Sequence, residues 1–214
     1  MKIWTTEHVF NHPWETVVQA VWRKYPNPHK PEVLSTDIVD RKVEKGILYS
    51  TRFISSRWGL PGWAKKLIGS DGMCYAFENS EVDPVKQKMK MRTRNVSFAN
   101  TVSMDERMEY KPDPNDASKT IVHQEMFIAV RGVPLTSYIE NYLINYASNN
   151  SSKGKDAMEW IIKKIDVEVE ELMHTYKRGT SELKTSIGKF QDTAKKSIGD
   201  ISNLTKSNKT LPRI

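Results

Sequence analysis

The side chains that could carry out chemistry are scattered along the chain. There is one cysteine, Cys74, which excludes an intramolecular disulfide, and the five histidines lack the spacing of metal ligands. Acidic pairs such as Asp105 and Glu106 are adjacent in sequence, so in a strand or helix their carboxylates point in different directions and are poor acid–base partners. The sequence has no phosphate-binding glycine loop, no G-x-S-x-G and no H-E-x-x-H. We therefore predict that the protein is not an enzyme and holds no metal.

Lysine and arginine are the remaining residues with a chemical use, because they bind phosphate. The formal net charge is +7, from 33 basic and 26 acidic residues. Residues 173–214 hold nine of the basic and three of the acidic residues, which leaves 24 against 23 in residues 1–172. Because the first 172 residues are nearly neutral, they lack the broad basic surface expected of a DNA- or RNA-binding module.

Alternating apolar and polar residues predict six or seven strands in the first 130 residues. The predicted strands are residues 2–10, 33–43, 47–55, 73–81, 86–98, 101–110 and 120–130. In one of them Met89 and Met91 share a face, and Lys88 and Lys90 share the opposite face. Such alternation is typical of an antiparallel sheet with one face in water.

Two helices are predicted beside these strands. One begins at Pro13 and runs to about Tyr25, and the other follows Pro134 and continues to about Met173. The predicted fold is α+β, in which a curved antiparallel sheet is gripped by the long late helix, with one short N-terminal helix. This arrangement can leave a cavity between helix and sheet. No run of eighteen apolar residues is present, so we expect any membrane contact to be peripheral.

An apolar segment, residues 57–72, separates two of the predicted strands. It is too rich in glycine and proline for a strand and too apolar for an ordinary solvated loop. Its large apolar residues are Trp58, Leu60, Trp63, Leu67 and Ile68. Two interpretations stay open: these side chains cover the core, or the segment is a movable flap.

Residues 173–214 form a basic tail with a weaker apolar stripe. Leu183, Ile187 and Phe190 follow one another at steps of three or four residues, with lysines on the flanks. The tail is either a partly disordered, solvated segment or a basic amphipathic helix for an anionic membrane or a partner helix. We therefore predict two regions, a folded domain in residues 1–172 and a basic tail in residues 173–214.

Several motifs resemble the PRELI/slowmo family of phospholipid transfer proteins. They are MKIWTTEHVFNHPWETV at the start, RKYPNP at 23–28, SEVDPVKQKM at 80–89, SMDER at 103–107 and NNSSKGKDAMEWII at 149–162. The combination of YPNP, DP and SKG…MEW at these separations is specific. The opening and the MEWII ending are more similar to the slowmo branch than to the other branches.

The resemblance implies a START-like helix-grip domain of the mitochondrial intermembrane space. It implies binding of an acidic phospholipid, phosphatidic acid or phosphatidylserine, in an internal apolar cavity, and its transfer between mitochondrial membranes. It implies no cofactor, a small helical partner with twin cysteine pairs, and peripheral contact with anionic membranes. The alternative is an interaction or scaffold protein whose basic tail binds a partner or an anionic membrane.

The resemblance also implies which residues hold the lipid. The family's headgroup residues fall on Lys24, Asn150 and Lys153, and the last two are three residues apart on a helix. A family lysine pair falls on Ser56 and Gly59, so Arg57 between them is the available substitute. The family flap matches residues 60–69 of the apolar segment described above, and Trp58, Leu60, Trp63, Leu67 and Ile68 are expected to form the lid and touch the membrane.

Overall fold

The computed structural model describes residues 1–59, 61–68 and 72–207, except for the side chains of residues 67, 68, 190, 191 and 193–207. The residues divide into two compact units, the first spanning Met1–Lys164 and the second beginning at Ile165. The predicted boundary between residues 172 and 173 lies inside a helix.

Seven strands form one antiparallel, curved sheet. The strands are β1 (Lys2–Phe10), β2 (Val33–Glu44), β3 (Ile47–Arg57), β4 (Met73–Asp83), β5 (Lys88–Asn95), β6 (Val102–Asp113) and β7 (Asp116–Val130). Their order is β1-β7-β6-β5-β4-β3-β2, so strands two to seven form a meander and β1 pairs with β7. The predicted sheet is confirmed, including the inward positions of Met89 and Met91, which are both buried.

Helix α1 (Trp14–Arg23) follows Pro13, whose fixed φ suits a helix start. Its apolar stripe is buried, and the indole nitrogen of Trp14 donates to the carbonyl oxygen of Tyr110 on β6 at 3.2 Å. Asn27, beyond the helix end, donates to the carbonyl oxygen of Ala157 at 2.9 Å. These bonds fix both ends of α1 to the rest of the first unit.

Helix α3 (Thr136–Ser207) begins close to the predicted position and continues beyond it. Within the first unit it lies on the sheet, where Ile139, Leu143 and Ala147 pack with Met126 and Ile128 of β7. This contact confirms the grip of the late helix on the sheet. No helix of the described residues is long and apolar enough to cross a membrane.

In the second unit, the backbone of α3 is helical from Ile165 to Ser207. Leu172, Tyr176 and Leu183 expose most of their side chains. Arg178 and Glu182, one helical turn apart, form an exposed ion pair at 3.1 Å.

The apolar segment between β3 and β4 contains a short helix that the sequence pattern did not predict. Helix α2 (Gly62–Ile68) begins after Pro61, whose carbonyl oxygen accepts a hydrogen bond from the backbone of Ala64 at 2.9 Å. Seven residues are too few to show a helical apolar period, which explains why the pattern was not visible. Ala64 is buried, whereas Trp63 is exposed.

Candidate functional site

An internal cavity of about 260 Å³ lies between the inner face of the sheet and the first unit's part of α3. The end of α1 closes one side through Val21, Lys24 and Tyr25. All seven strands contribute to the lining, β2 only through Val33, because alternate side chains of a strand point to the same face of the sheet. The grip of helix on sheet is therefore incomplete, and the space left is the candidate site.

The cavity lining is mainly apolar and rich in methionine. Five methionines reach it, namely Met91, Met104, Met108, Met126 and Met158. Phe10, Ile54 and Val122 add aromatic and branched apolar surface. Methionine is unbranched and has three rotatable bonds, so a methionine-rich lining can change shape around ligands of different form.

A row of polar side chains crosses this apolar floor from the edge strand β1 to β3. The row consists of Thr6, Gln124, Glu106, Thr93, Glu78 and Arg52. The strand register places Thr6 opposite Gln124, Thr93 opposite Glu106 and Glu78 opposite Arg52. Buried polar groups need hydrogen-bond partners or charge partners, so the partners within the row decide which charges remain for a ligand.

Arg52 and Glu78 satisfy each other at one end of the row. Both are buried, and the guanidinium donates twice to one carboxylate oxygen, at 2.8 and 2.5 Å. The guanidinium also stacks on the ring of Trp22, with 5.1 Å between them. This ion pair is internally compensated and contributes little net charge to the cavity.

Glu106 occupies the middle of the row. Gln124 donates to its carboxylate at 2.5 Å, and the hydroxyl of Ser151 on α3 donates to the amide oxygen of Gln124 at 2.8 Å. Burial raises the pKa of Glu106, and the Gln124 bond and the charge of Lys24 act in the opposite direction. The carboxyl group is therefore held in place by a chain that links β6, β7 and α3.

Lys24, the residue directly after α1, brings a positive charge into the cavity. Its ammonium nitrogen lies 3.4 Å from the position that a Cβ on Gly154 of α3 would take. Burial lowers the pKa of Lys24, while the carboxylates of Glu106 and Glu78 raise it. A cation held in a desolvated position gains most from an anionic ligand, because the ligand replaces lost hydration.

A second lysine, Lys30, reaches the same end of the cavity from the loop before β2. It is buried, pairs with Glu32 at 2.8 Å and donates to the side-chain oxygen of Asn150 at 3.3 Å. Although burial of Glu32 acts in the opposite direction, the hydrogen bond from Lys30 lowers the pKa of Glu32. One turn of α3 therefore contacts three residues of the cavity wall. Asn150 accepts a hydrogen bond from Lys30, Ser151 donates one to Gln124, and Gly154 lies against Lys24.

The predicted headgroup residues are placed in two groups. Lys24 and Asn150 line the cavity. Lys153 is exposed and does not line it, although its charge contributes to lowering the pKa of Glu32. Arg57 is also exposed and outside the lining, at the end of β3. The structure brings Lys24 and Asn150 together around one end of the cavity and leaves Lys153 and Arg57 at the surface.

The predicted lid residues are partly described. Trp58 lines the cavity, and its ring meets that of Phe98 edge-on at 6.0 Å. Trp63 is 42% exposed and contacts the rings of Tyr138 and Tyr142 of α3 at 5.8 and 5.9 Å. Leu60 lies outside the described residues, as do the side chains of Leu67 and Ile68. The described part of the segment therefore contributes to the cavity wall and to the surface beside it.

Sequence reasoning missed the polar row and Lys30. The missed residues are Lys30, Ser151, which donates to Gln124, and the six residues of the row, Thr6, Arg52, Glu78, Thr93, Glu106 and Gln124. A signal was present in β6 and β7, where Glu106 stands between Met104 and Met108, and Gln124 stands two residues before Met126. A polar residue at the inward position of an otherwise apolar strand face indicates a buried polar site.

Comparison with known proteins gives one family and several relatives. The model of the PRELI-like family matches residues 15–168. A UPS-like protein of Schizosaccharomyces pombe is 35% identical over 79% of this chain and 93% of its own length. The slowmo homolog of Dictyostelium discoideum is 30% identical over 84% of this chain and 79% of its own. The mitochondrial protein UPS2 of Saccharomyces cerevisiae is 31% identical over 76% of this chain and 73% of its own.

Solved structures resemble the fold at much lower identity. TTHA0849 from Thermus thermophilus matches with a TM-score of 0.52 and 12% identity, over 77% of this chain and 99% of that protein. The Zhui aromatase/cyclase from Streptomyces sp. R1128 matches with a TM-score of 0.52 and 14% identity, over 78% of this chain and 96% of that protein. These matches identify the architecture as a START-like helix-grip fold, as the sequence predicted.

Proposed function

The chain belongs to the PRELI-like family, and we propose that it binds one acidic phospholipid in its internal cavity and carries it between mitochondrial membranes. The observation that supports this most is the combination of a methionine-rich apolar cavity with lysines at one end. The acyl chains occupy the apolar part, and the phosphate lies near Lys24, Lys30 and Asn150. The lipid leaves chemically unchanged, so the protein is a carrier and not an enzyme.

The apolar lining fits the energetic need of a lipid carrier. Moving a two-chain lipid through water exposes about thirty methylenes at roughly 0.8 kcal/mol each, a cost on the order of 20 kcal/mol. Shielding the chains between sheet and helix removes most of this cost. A protein that only contacted the headgroup would leave this barrier in place.

The polar end fits the other half of the ligand. A phosphate loses hydration when it enters a cavity, and this is tolerated only where cations and hydrogen-bond donors replace the water. Lys24 is desolvated already, and Lys30 is held by Glu32 and Asn150. These residues are poised for an anion without having to be reorganised.

The size of the cavity supports a moving flap. A volume of about 260 Å³ is slightly below the roughly 300–1,000 Å³ of most small-molecule pockets. Two acyl chains therefore enter only if part of the wall moves. The segment between β3 and β4, with Trp58 in the wall and Trp63 exposed, is our proposed lid and the first contact with the bilayer.

We propose a location from a mitochondrial relative and a partner from the family resemblance. The relative in Saccharomyces cerevisiae is named as mitochondrial, and we propose the mitochondrial intermembrane space for this chain as well. There it is expected to associate with a small helical protein that has twin cysteine pairs. We propose phosphatidic acid or phosphatidylserine as the ligand, and peripheral contact with anionic membranes.

Transfer between vesicles tests the proposal. Donor vesicles carry a labelled acidic phospholipid, acceptor vesicles carry none, and the label is followed with and without the protein and its partner. Replacing Ala76, which lines the cavity, with tryptophan should fill the space and stop transfer. Replacing Asn79, which is exposed on the same strand, with tryptophan is the matched control and should not.

The outcome separates the carrier from its alternatives. Transfer that stops only in the Ala76 variant supports the cavity. Membrane binding without extraction of lipid by the wild-type protein would instead favour an adaptor that uses its basic tail. Conversion of the lipid to a product would identify an enzyme. Thermal unfolding of both variants verifies that the fold is retained.

A further inference from the structure

The charges lining the cavity are nearly balanced, and most of them are paired. The cationic residues are Lys24, Lys30, Arg52 and Lys155, and the acidic ones are Glu32, Glu78 and Glu106. Arg52 pairs with Glu78 and Lys30 with Glu32. Among the described residues, Glu106 forms no ion pair. Its carboxylate is therefore the acidic group of the lining that repels a bound anionic headgroup without a paired cation to offset it.

The position of Glu106 is fixed by its neighbours. It lies on the inner face of β6 between Met104 and Met108, where its carboxylate accepts a hydrogen bond from Gln124. Lys24 lies against Gly154 of α3, one turn from Ser151, whose hydroxyl donates to the same Gln124. An anion that binds at Lys24 therefore approaches Glu106 in a mainly apolar cavity, where like charges repel more strongly than in bulk water.

We propose that Glu106 is a specificity-determining residue, whose carboxylate admits a phosphodiester headgroup with a single phosphate charge and disfavours a phosphomonoester with two. This rests on the proposed function, since it concerns the headgroup of the lipid in the same cavity. The single charge of a diester is balanced by Lys24. A monoester carries a second negative charge, and no further unpaired cation of the described cavity lining lies close to Lys24 to balance it. Glu106 repels this second charge.

Lys155 does not remove this discrimination. It lines the cavity one residue after Gly154, and its charge adds to the effect of burial in lowering the pKa of His8 on β1. His8 belongs to β1, which β7 separates from β6 and Glu106 in the strand order. Lys24, whose own largest opposing charge is Glu106, is the cation that shares its surroundings.

A matched pair of lipids tests the proposal. Phosphatidic acid is a monoester, and phosphatidylmethanol is the same lipid with one methyl ester on the phosphate, so the two differ by one small group and one charge. Each is presented at equal fraction in phosphatidylcholine vesicles at pH 8, where the monoester carries most of its second charge. The measured quantity is the ratio of the two lipids extracted by the protein.

Three variants isolate the carboxylate. Glu106→Gln keeps the size and removes the charge, and Glu106→Asp keeps the charge. Glu109→Gln is the matched control, because Glu109 lies on the opposite face of the same strand and pairs with Lys88 at 2.8 Å. If Glu106→Gln does not fold, Glu106→Met carries the test, since methionines flank the position on the same face.

The wild-type protein is expected to prefer the diester, and removal of the charge should reduce that preference by at least about tenfold, as expected for a unit charge in a cavity of low dielectric. Glu106→Asp and Glu109→Gln should keep the wild-type ratio. An equal ratio in the wild type and Glu106→Gln, or a wild-type preference for the monoester, overturns the assignment.

If the wild type extracts neither lipid, the proposed carrier function itself fails. Glycerol 3-phosphate, a monoester without acyl chains, should not compete; competition by it would place a free phosphate compound in the cavity and overturn the lipid assignment.

Discussion

Replacing Lys24 and Lys153 separately with glutamine distinguishes a charge inside the cavity from one at its surface. An ammonium and a phosphate about 4 Å apart interact by about 4 kcal/mol at an effective dielectric constant near 20, and by about 1 kcal/mol in bulk water. Lys24 lines the cavity, whereas Lys153 is exposed. We expect Lys24→Gln to weaken lipid binding by about 3 kcal/mol, roughly a hundredfold. For Lys153→Gln we expect less than about 1 kcal/mol, roughly fivefold at most.

Equilibrium partition of an acidic phospholipid between protein and vesicles measures both losses. The two variants remove the same charge from the same protein, so membrane attraction through net charge changes equally in both. Thermal unfolding verifies that each variant is folded. Equal losses for Lys24→Gln and Lys153→Gln would refute the placement of the phosphate, and so would wild-type binding by Lys24→Gln.

Four further expectations follow from other residues of the first unit. Gly154→Ala should raise the free energy of unfolding by up to about 1 kcal/mol, because alanine is more favourable than glycine in a helix interior. The same change should weaken lipid transfer, because the new methyl group lies 3.4 Å from the Lys24 ammonium. Urea unfolding measures the first effect and vesicle transfer the second. Arg52→Met should cost about 3–5 kcal/mol in urea unfolding because Glu78 is left buried without its partner, and adding Glu78→Met should recover most of that loss. Trp63→Ala should slow lipid extraction from vesicles several-fold while changing the free energy of unfolding by about 1 kcal/mol, since the side chain is partly exposed. Burial raises the pKa of the Cys74 thiol to about 12, so iodoacetamide at pH 8 should label it in denaturant and leave it unmodified in the folded protein.

The sheet was predictable because alternation is a local property. In β5 basic residues alternate with Met89 and Met91, side-chain burial alternates along both β1 and β5, and one face of the sheet is in water. The pairing of β1 with β7 was not visible, since it joins residues more than a hundred positions apart. Helix α2 is too short to show a period.

The site was predictable only where a motif carried it. Lys24 and Asn150 came from the resemblance, and both line the cavity. Lys153 shares a helical face with Asn150 by spacing alone, but the neighbours that face the cavity are Ser151 and Gly154. Spacing gives a face of the helix, and only the packing of the helix on the sheet decides which edge of that face meets the cavity.

Native mass spectrometry of the protein after incubation with vesicles and its helical partner tests the carrier assignment itself. The expected result is one two-chain phospholipid of unaltered mass bound per chain, and its loss in Ala76→Trp but not in Asn79→Trp. A protein that stays free of lipid under these conditions would contradict the account, as would a lipid that binds equally well when the cavity is filled.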